Sequence, residues 1–126
     1  MEPDQTEINQ VKNTVEKYIE GSRKGNLALL KEIFHENATM SGYMLGELQI
    51  GTPEPFFEAV ANNPAPEQSG EDYKAEIKSV MVSGQIASAE LEESGFLGLS
   101  FTDYFQLIKT EGNWLILNKM FTTHQP

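Results

Sequence analysis

The sequence is poor in the residues that hold metals or form disulfides. Of its 126 residues none is cysteine and only two are histidine. Without cysteine the chain has neither a disulfide framework nor thiolate ligands for a metal. His35 and His124 lie far apart in the sequence, without the short spacing of a histidine metal site. We therefore predict no metal site and no cofactor.

Basic residues are scarce as well. Nine lysines and arginines stand against 19 aspartates and glutamates, which gives a formal net charge of -10. A surface of this sign repels the phosphates of nucleic acids and of anionic membranes, so we exclude both as main partners. The sequence has no apolar run long enough to span a bilayer, and its polar, acidic N-terminus lacks the features of a secretory signal. We expect a cytoplasmic protein.

The length and composition fit one domain that spans residues 1–126. Hydrophobic residues make up 39% of the chain, enough for a core of ordinary size. Apolar residues recur at helical spacing over 8–19, which predicts an amphipathic first helix. Asn26 is a suitable N-cap for a second helix, and Thr52 followed by proline is suitable for the start of a third.

The second half of the chain is rich in strand patterns. A short strand is predicted at 38–43, and the turn formers and acids of 62–72 predict a surface connector or a lid beside a pocket. Strands follow over 73–83 and 85–92, and two more lie within 101–121. Helices first and strands last indicate an α+β fold, with three N-terminal helices packed on a curved, mainly antiparallel sheet.

The last two strands form a hairpin whose two faces are both apolar. A three-residue loop at 110–112 would pair Lys109 with Asn113, and this register places Asp103 opposite Lys119. The rest of that face is apolar, and so is the opposite one. Both therefore need cover, one from the helices and the other from a second copy of the chain. We predict a homodimer through the outer sheet face, using Tyr104, Trp114, Ile116 and Met120; the alternative for Trp114 is packing within the chain.

Two stretches resemble a known family. The run YIEGSRKGNLALLKEIFHENATMSGYMLG resembles the opening of NTF2-like proteins, and TDYFQLIKTEGNWLILNKMF resembles the last hairpin of their putative lumazine-binding branch, close to the SnoaL-like proteins. The resemblance covers roughly Ile8 to His124. It implies the cone-shaped, cystatin-like α+β fold, with the sheet folded around an internal pocket and often a dimer through the outer face.

The resemblance also suggests which residues to examine for chemistry. Ketosteroid isomerase, a member of this fold, holds an oxyanion with a tyrosine and a neutral aspartic acid and uses a second carboxylate as base. Tyr18 matches the position of the tyrosine, and Asp103 lies close to that of the aspartic acid, with the following turn differing by one residue. The position of the base is Gly42, so isomerisation by that mechanism is not expected.

Several residues have two open interpretations. The Asp103–Lys119 pair would bind a ligand with both a donor and an acceptor, such as a carboxylate or a fused heterocycle, or it is a structural ion pair. Tyr18 is a pocket donor or a core aromatic, and His35 is a catalytic acid or base or caps a helix end. The acidic run that ends at Glu93 is interpreted as a solvated edge. The predicted pocket residues are Tyr18, Met40, Tyr43, Phe56, Phe101, Asp103, Phe105, Leu117, Lys119 and Phe121.

Three functions follow from these patterns. The first is a homodimeric binding domain for a small, partly apolar molecule, because an apolar pocket with few polar groups is the usual form of such a site. The second is an isomerase or dehydratase that transfers protons with Asp103, His35 and Tyr18. The third is a dimeric interaction module without a ligand, whose cone would be filled by side chains.

Overall fold

The structure, a computed structural model, describes residues 4–124. Its elements follow the predicted order of helices and then strands. They are α1 (Gln5–Lys24), α2 (Leu27–Ile33), β1 (Phe34–Met44), β2 (Glu47–Gly51), α3 (Glu54–Asn62), α4 (Pro66–Ser69), β3 (Lys74–Ser83), β4 (Ile86–Phe96), β5 (Leu99–Thr110) and β6 (Asn113–His124).

Local signals set the limits of the first two helices. The Asp4 side chain accepts a hydrogen bond from the Thr6 amide and caps the start of α1. Gly25 ends α1 in the left-handed conformation, with φ of 66°, which glycine adopts without a steric penalty. The Asn26 side chain then accepts from the Leu29 amide and starts α2, as predicted. The two helices are therefore joined by a tight connection.

The six strands form one sheet in the order β2-β1-β6-β5-β4-β3. Among its strand pairs only β1–β6 is parallel, so the sheet is mainly antiparallel and the predicted α+β cone is confirmed. The sequence analysis missed β2 and the short helix α4. A turn at Leu45 and Gly46, both with positive φ, joins β1 to β2. Leu-Gly is a weak turn signal, which explains why this hairpin was not predicted.

The predicted register of the final hairpin is wrong. The turn has two residues, Glu111 and Gly112, with φ of 50° and 81°, and it pairs Thr110 with Asn113. Farther from the turn an irregularity adds Leu117 to β6 without a partner on β5. Beyond this bulge the register is shifted by two positions from the predicted one. Asp103 therefore faces Phe121, and Lys119 faces Phe105.

The bulge decides which side chains of β6 point inward. Next to the turn, the one-residue slip turns Trp114 and Ile116 to the inner face, where they are 5% and 0% exposed. The bulge at Leu117 then restores the predicted parity, so Lys119 and Phe121 are buried on the same inner face. Leu117 itself does not line the cavity described below.

The outer-face prediction is therefore wrong for two of its four residues. The Trp114 indole donates a hydrogen bond to Glu7 of α1 at 2.7 Å, and its carbonyl accepts one from Thr14 at 3.1 Å. Ile116 is fully buried in the core. Tyr104 and Met120 do lie on the outer face, directly opposite each other on β5 and β6, and are 56% and 53% exposed.

Gly42 marks the closest approach of β1 to β6. A Cβ atom at this position would overlap the backbone carbonyl oxygen of Phe121, its partner in the parallel pair. The site of the base in ketosteroid isomerase, as matched from the sequence, therefore has no room for a side chain. A carboxylate at position 42 would require the two strands to move apart.

Candidate functional site

A cavity of about 580 Å³ lies between the inner face of the sheet, α1, α3 and the edge strand β2. Its wall is mostly apolar and contains three titratable side chains: Tyr18, Glu93 and Lys119. The other residues that line it are Met40, Met44, Leu48, Gln49, Ile50, Gly51, Thr52, Pro55, Phe56, Ala59, Phe96, Leu97, Phe101 and Phe121. This is the form of a small-molecule site, in which a few polar groups converge within an apolar wall.

Six of the ten predicted pocket residues line this cavity: Tyr18, Met40, Phe56, Phe101, Lys119 and Phe121. Asp103 is fully buried behind the wall, and Phe105 packs edge-on beneath the Tyr18 ring, with centroids 4.9 Å apart. Tyr43 is 50% exposed because its position on β1 alternates with the inward-facing Met40, Gly42 and Met44. Leu117 is displaced by the bulge.

The Lys119 ammonium lies among aromatic rings at the cavity wall. Its Nζ atom donates a 2.6 Å hydrogen bond to the Tyr18 hydroxyl and lies 3.8 Å from the nearer Asp103 oxygen. It also lies 4.5 Å from the centre of the Phe56 ring, 5.0 Å from that of Tyr18 and 5.4 Å from that of Phe121. These contacts with ring faces stabilise a cation that is almost fully buried.

A second carboxyl group completes the cluster. Glu93 lies on β4, diagonally across from Asp103 on β5, because Glu93 pairs with Phe101 two residues before Asp103. Glu93 is 5% exposed and accepts a 2.5 Å hydrogen bond from the Tyr73 hydroxyl. Burial raises the pKa of the Glu93 carboxyl well above its usual value, and the charge of Asp103 raises it further.

A proton on Glu93 would account for the surroundings of Asp103. Neither Asp103 oxygen has a hydrogen-bond partner within residues 4–124. Buried polar atoms without a partner are rare, because leaving them unsatisfied costs free energy. A proton on Glu93, which its raised pKa favours, would supply a donor beside Asp103. The cluster is then neutral overall, with one carboxylate balanced by one ammonium.

Comparison with known proteins agrees with this architecture. The profile of the family described as putative lumazine-binding matches residues 6–122. This chain belongs to that family. A solved NTF2-like protein of unknown function from Shewanella baltica is 28% identical and has a TM-score of 0.87, with all of both chains covered. Another, from Methylobacillus flagellatus, is 24% identical and has a TM-score of 0.88, with 98% of this chain and 97% of that one covered.

A relative with a described activity is also similar to this family member. The aldolase FrzH from Cladobotryum sp. is 27% identical over 120 residues, which are 94% of this chain and 93% of the relative.

Within residues 4–124, none of the helices is both long enough and apolar enough to cross a membrane. The same part of the chain has no group of three or more His, Asp or Glu side chains placed to hold a metal ion.

His35 does not line the cavity of this family member. The second helix ends at Ile33, so His35 belongs to β1 and does not cap the helix end as the sequence analysis allowed. Its side chain is partly exposed, and its Nδ1 atom accepts a 3.0 Å hydrogen bond from the Asn37 amide. The structure therefore gives no geometric support for a joint catalytic role of His35 with Asp103 and Tyr18.

The sequence analysis missed Glu93, because it interpreted the acidic run as a solvated edge. The signal was present in the alternation along β4. Ala87, Ala89 and Leu91 are buried on the inner face, and Glu93 continues that series at the next inward position. Glu92 points to the other face and is exposed. The alternation of buried and exposed residues along β4, and not the local charge, identifies Glu93 as buried.

We predict that Glu93→Gln makes the protein more stable at neutral pH, by an amount that grows as the pH rises. The pKa of Glu93 is raised in the folded protein. The contribution of its protonated form to folding stability is therefore complete below the unfolded pKa, near ~4.3, and is lost as the pH rises toward the folded pKa. In that window the native state retains a proton that the unfolded chain releases. Unfolding of the wild type therefore becomes easier, relative to the variant, by up to about 1.4 kcal/mol per pH unit.

Urea denaturation between about pH 5 and about pH 7 measures this difference. The amide that Glu93→Gln introduces can donate to Asp103 and accept from Tyr73, so the variant keeps the shape of the cluster. Glu92→Gln, on the exposed face of the same strand, is the matched control and should follow the wild type at every pH. Parallel curves for wild type and Glu93→Gln would mean that Glu93 is ionised in the folded protein.

Proposed function

We propose that this protein is a binding domain for a small, largely apolar molecule that has an oxygen-bearing group at one end. The observation that carries this proposal is the cavity of about 580 Å³, where Tyr18, Glu93 and Lys119 are the titratable side chains of an otherwise mostly apolar wall. An apolar ligand body would contact the aromatic and aliphatic wall. Its polar end would meet the three titratable groups.

The donors of the cluster favour a ligand oxygen. Within residues 4–124 the Lys119 ammonium makes one hydrogen bond, to Tyr18, although an ammonium group has three N–H donors. Asp103, at 3.8 Å, is an ion-pair partner beyond hydrogen-bond distance. A carbonyl oxygen would use the remaining donor capacity. A fused heterocycle with ring carbonyls, of which lumazine is an example, combines such oxygens with a flat body.

The homodimer predicted from the sequence remains part of the proposal, on a smaller set of residues. Tyr104 and Met120 are exposed in the middle of the outer sheet face. Tyr43 on β1 is 50% exposed on the same face. Uncharged apolar side chains grouped in this way are typical of a protein interface.

An enzymatic role is the second candidate. The observation that favours it is the similarity to a relative described as an aldolase, together with a buried amine and a carboxyl group of raised pKa, Glu93, that both line the cavity. The residues proposed for it differ from those expected from the sequence, because Glu93 and Lys119 line the cavity and His35 does not. A ligand-free module is less well supported, since it requires a filled cone.

We predict that Ala59→Phe weakens ligand binding by about tenfold or more, which corresponds to about 1.4 kcal/mol. Ala59 lies on α3 and lines the cavity, so a phenylalanine there would occupy the space that a ligand needs. The probes are lumazine and the apolar aromatic alcohol naphthalenemethanol, and binding is measured by isothermal titration calorimetry.

Ala61→Phe is the matched control, because Ala61 is exposed on the same helix and does not line the cavity. It should bind the probes as the wild type does. Failure of both probes to bind the wild type, or equal binding by the two variants, would contradict the proposed cavity function.

We predict that Met120→Lys weakens the homodimer by about 2 kcal/mol or more, because it would bury an unpaired ammonium at the centre of the interface. Sedimentation velocity over a range of protein concentrations measures the association. Met81→Lys is the control, since Met81 is exposed on the outer edge strand β3. A wild type that is monomeric at every concentration would refute the dimer, and equal disruption by both variants would refute the assigned centre.

A further inference from the structure

Lys119 is placed where a lysine is seldom found. Its side chain is 6% exposed, it lines the cavity, and it is the one lysine among the cavity-lining residues of the described part of the chain, 4–124. Lysines are usually on the surface, where water solvates the ammonium. A lysine amine enclosed in an apolar pocket is one of the arrangements that enzymes use to form Schiff bases with carbonyl compounds.

The neighbours of this amine match the needs of that reaction. An ammonium must lose a proton before its nitrogen can attack, and the Asp103 carboxylate, which accepts no hydrogen bond from the described residues, lies 3.8 Å away. The Tyr18 hydroxyl, 2.6 Å from the nitrogen, is placed to orient a carbonyl oxygen beside it. Glu93 lines the same cavity and is adjacent to Asp103.

We propose that Lys119 forms an imine with an aldehyde or ketone that enters the cavity. This inference rests on the proposed function, since the carbonyl compound must first bind between the sheet and α3. It names the chemical class of the ligand and makes Lys119 the covalent attachment site.

The reaction balances without any further reagent. The nitrogen attacks the carbonyl carbon, the C=O bond is replaced by a C=N bond, and the oxygen leaves as water. The two hydrogens of that water come from the Lys119 ammonium. Asp103 takes each proton from the nitrogen, and the Glu93–Asp103 pair delivers it to the oxygen. The pair ends with the single proton that it held at the start.

The aromatic rings of the wall stabilise both the ammonium at the start of the reaction and the protonated imine at its end. The product is a protonated imine, which has the same positive charge as the ammonium that it replaces. The contacts with the Phe56, Tyr18 and Phe121 rings therefore continue to stabilise the charge after the bond has formed. The negative charge of Asp103 also remains balanced, so the cavity does not gain an uncompensated buried ion.

The test is reductive trapping of the whole protein with naphthaldehyde and sodium cyanoborohydride, followed by peptide mapping by mass spectrometry. The reductant converts a protonated imine into a stable secondary amine, so each modified lysine is found by its added mass. We expect Lys119 to be modified at least about tenfold faster than any other lysine, because binding holds the aldehyde beside it. Exposed lysines such as Lys24 and Lys74, which are 51% and 74% exposed, serve as internal references.

Two variants and one unreactive analogue make the result decisive. Lys119→Arg should lose the fast modification while the slow labelling of surface lysines continues, and Ala59→Phe should slow the labelling of Lys119 alone. Naphthalenemethanol, which has no carbonyl group, reports reversible binding to the same wild-type protein. Binding of the alcohol with no preference for Lys119 in the trapping experiment would overturn the imine and leave the proposed cavity function intact. Failure of both the alcohol and lumazine to bind, together with no preference for Lys119 in the trapping experiment, would overturn both.

Discussion

The burial of the Lys119 charge is the constraint on which the site depends. Taking an ammonium and a carboxylate out of water costs several kcal/mol for each ion, and removing one partner leaves the other uncompensated. Here the ammonium has Asp103 at 3.8 Å, the Tyr18 hydroxyl at 2.6 Å and three ring faces within 5.4 Å. The raised pKa of Glu93 favours its neutral acid, which limits the cluster to one negative charge. A second carboxylate there would have no counterion.

This cluster links the parts of the fold that surround the cavity. Lys119, Asp103 and Glu93 come from three adjacent strands, β6, β5 and β4, and Tyr18 comes from α1. The hydrogen bond between Lys119 and Tyr18 therefore fixes the first helix over the sheet. Since Tyr18 also stacks on Phe56 of α3, with ring centres 5.6 Å apart, the same contacts position the helix that forms another wall.

The sequence was sufficient for the fold and for part of the site. Helix limits at Asn26 and the order of the long strands follow from capping and periodicity, which act within a few residues. Asp103 and Lys119 were placed on one face correctly, although the register behind that placement was wrong by two positions. Both side chains lie on the predicted face because a register shift of an even number of residues leaves every side chain on the same face.

The register of the final hairpin and the burial of Glu93 depended on features that short-range sequence patterns do not encode. The two-residue turn moved Trp114 and Ile116 from the predicted interface into the core, and the bulge at Leu117 then returned Lys119 and Phe121 to the predicted face. Glu93 was missed because acidic residues are usually exposed, whereas its position in the alternation of β4 places it inside. Pairing across strands determined which charges met in the cavity.

The most direct test of this account is the carboxyl carbon chemical shift of Glu93, measured by NMR as the pH is varied. The account predicts that at neutral pH the signal has the position of a neutral carboxylic acid, and that it moves toward the carboxylate position only at higher pH. A Glu93 signal that already has the carboxylate position at neutral pH, with its midpoint near ~4.3 as in an exposed glutamate, would contradict the neutral acid at Glu93.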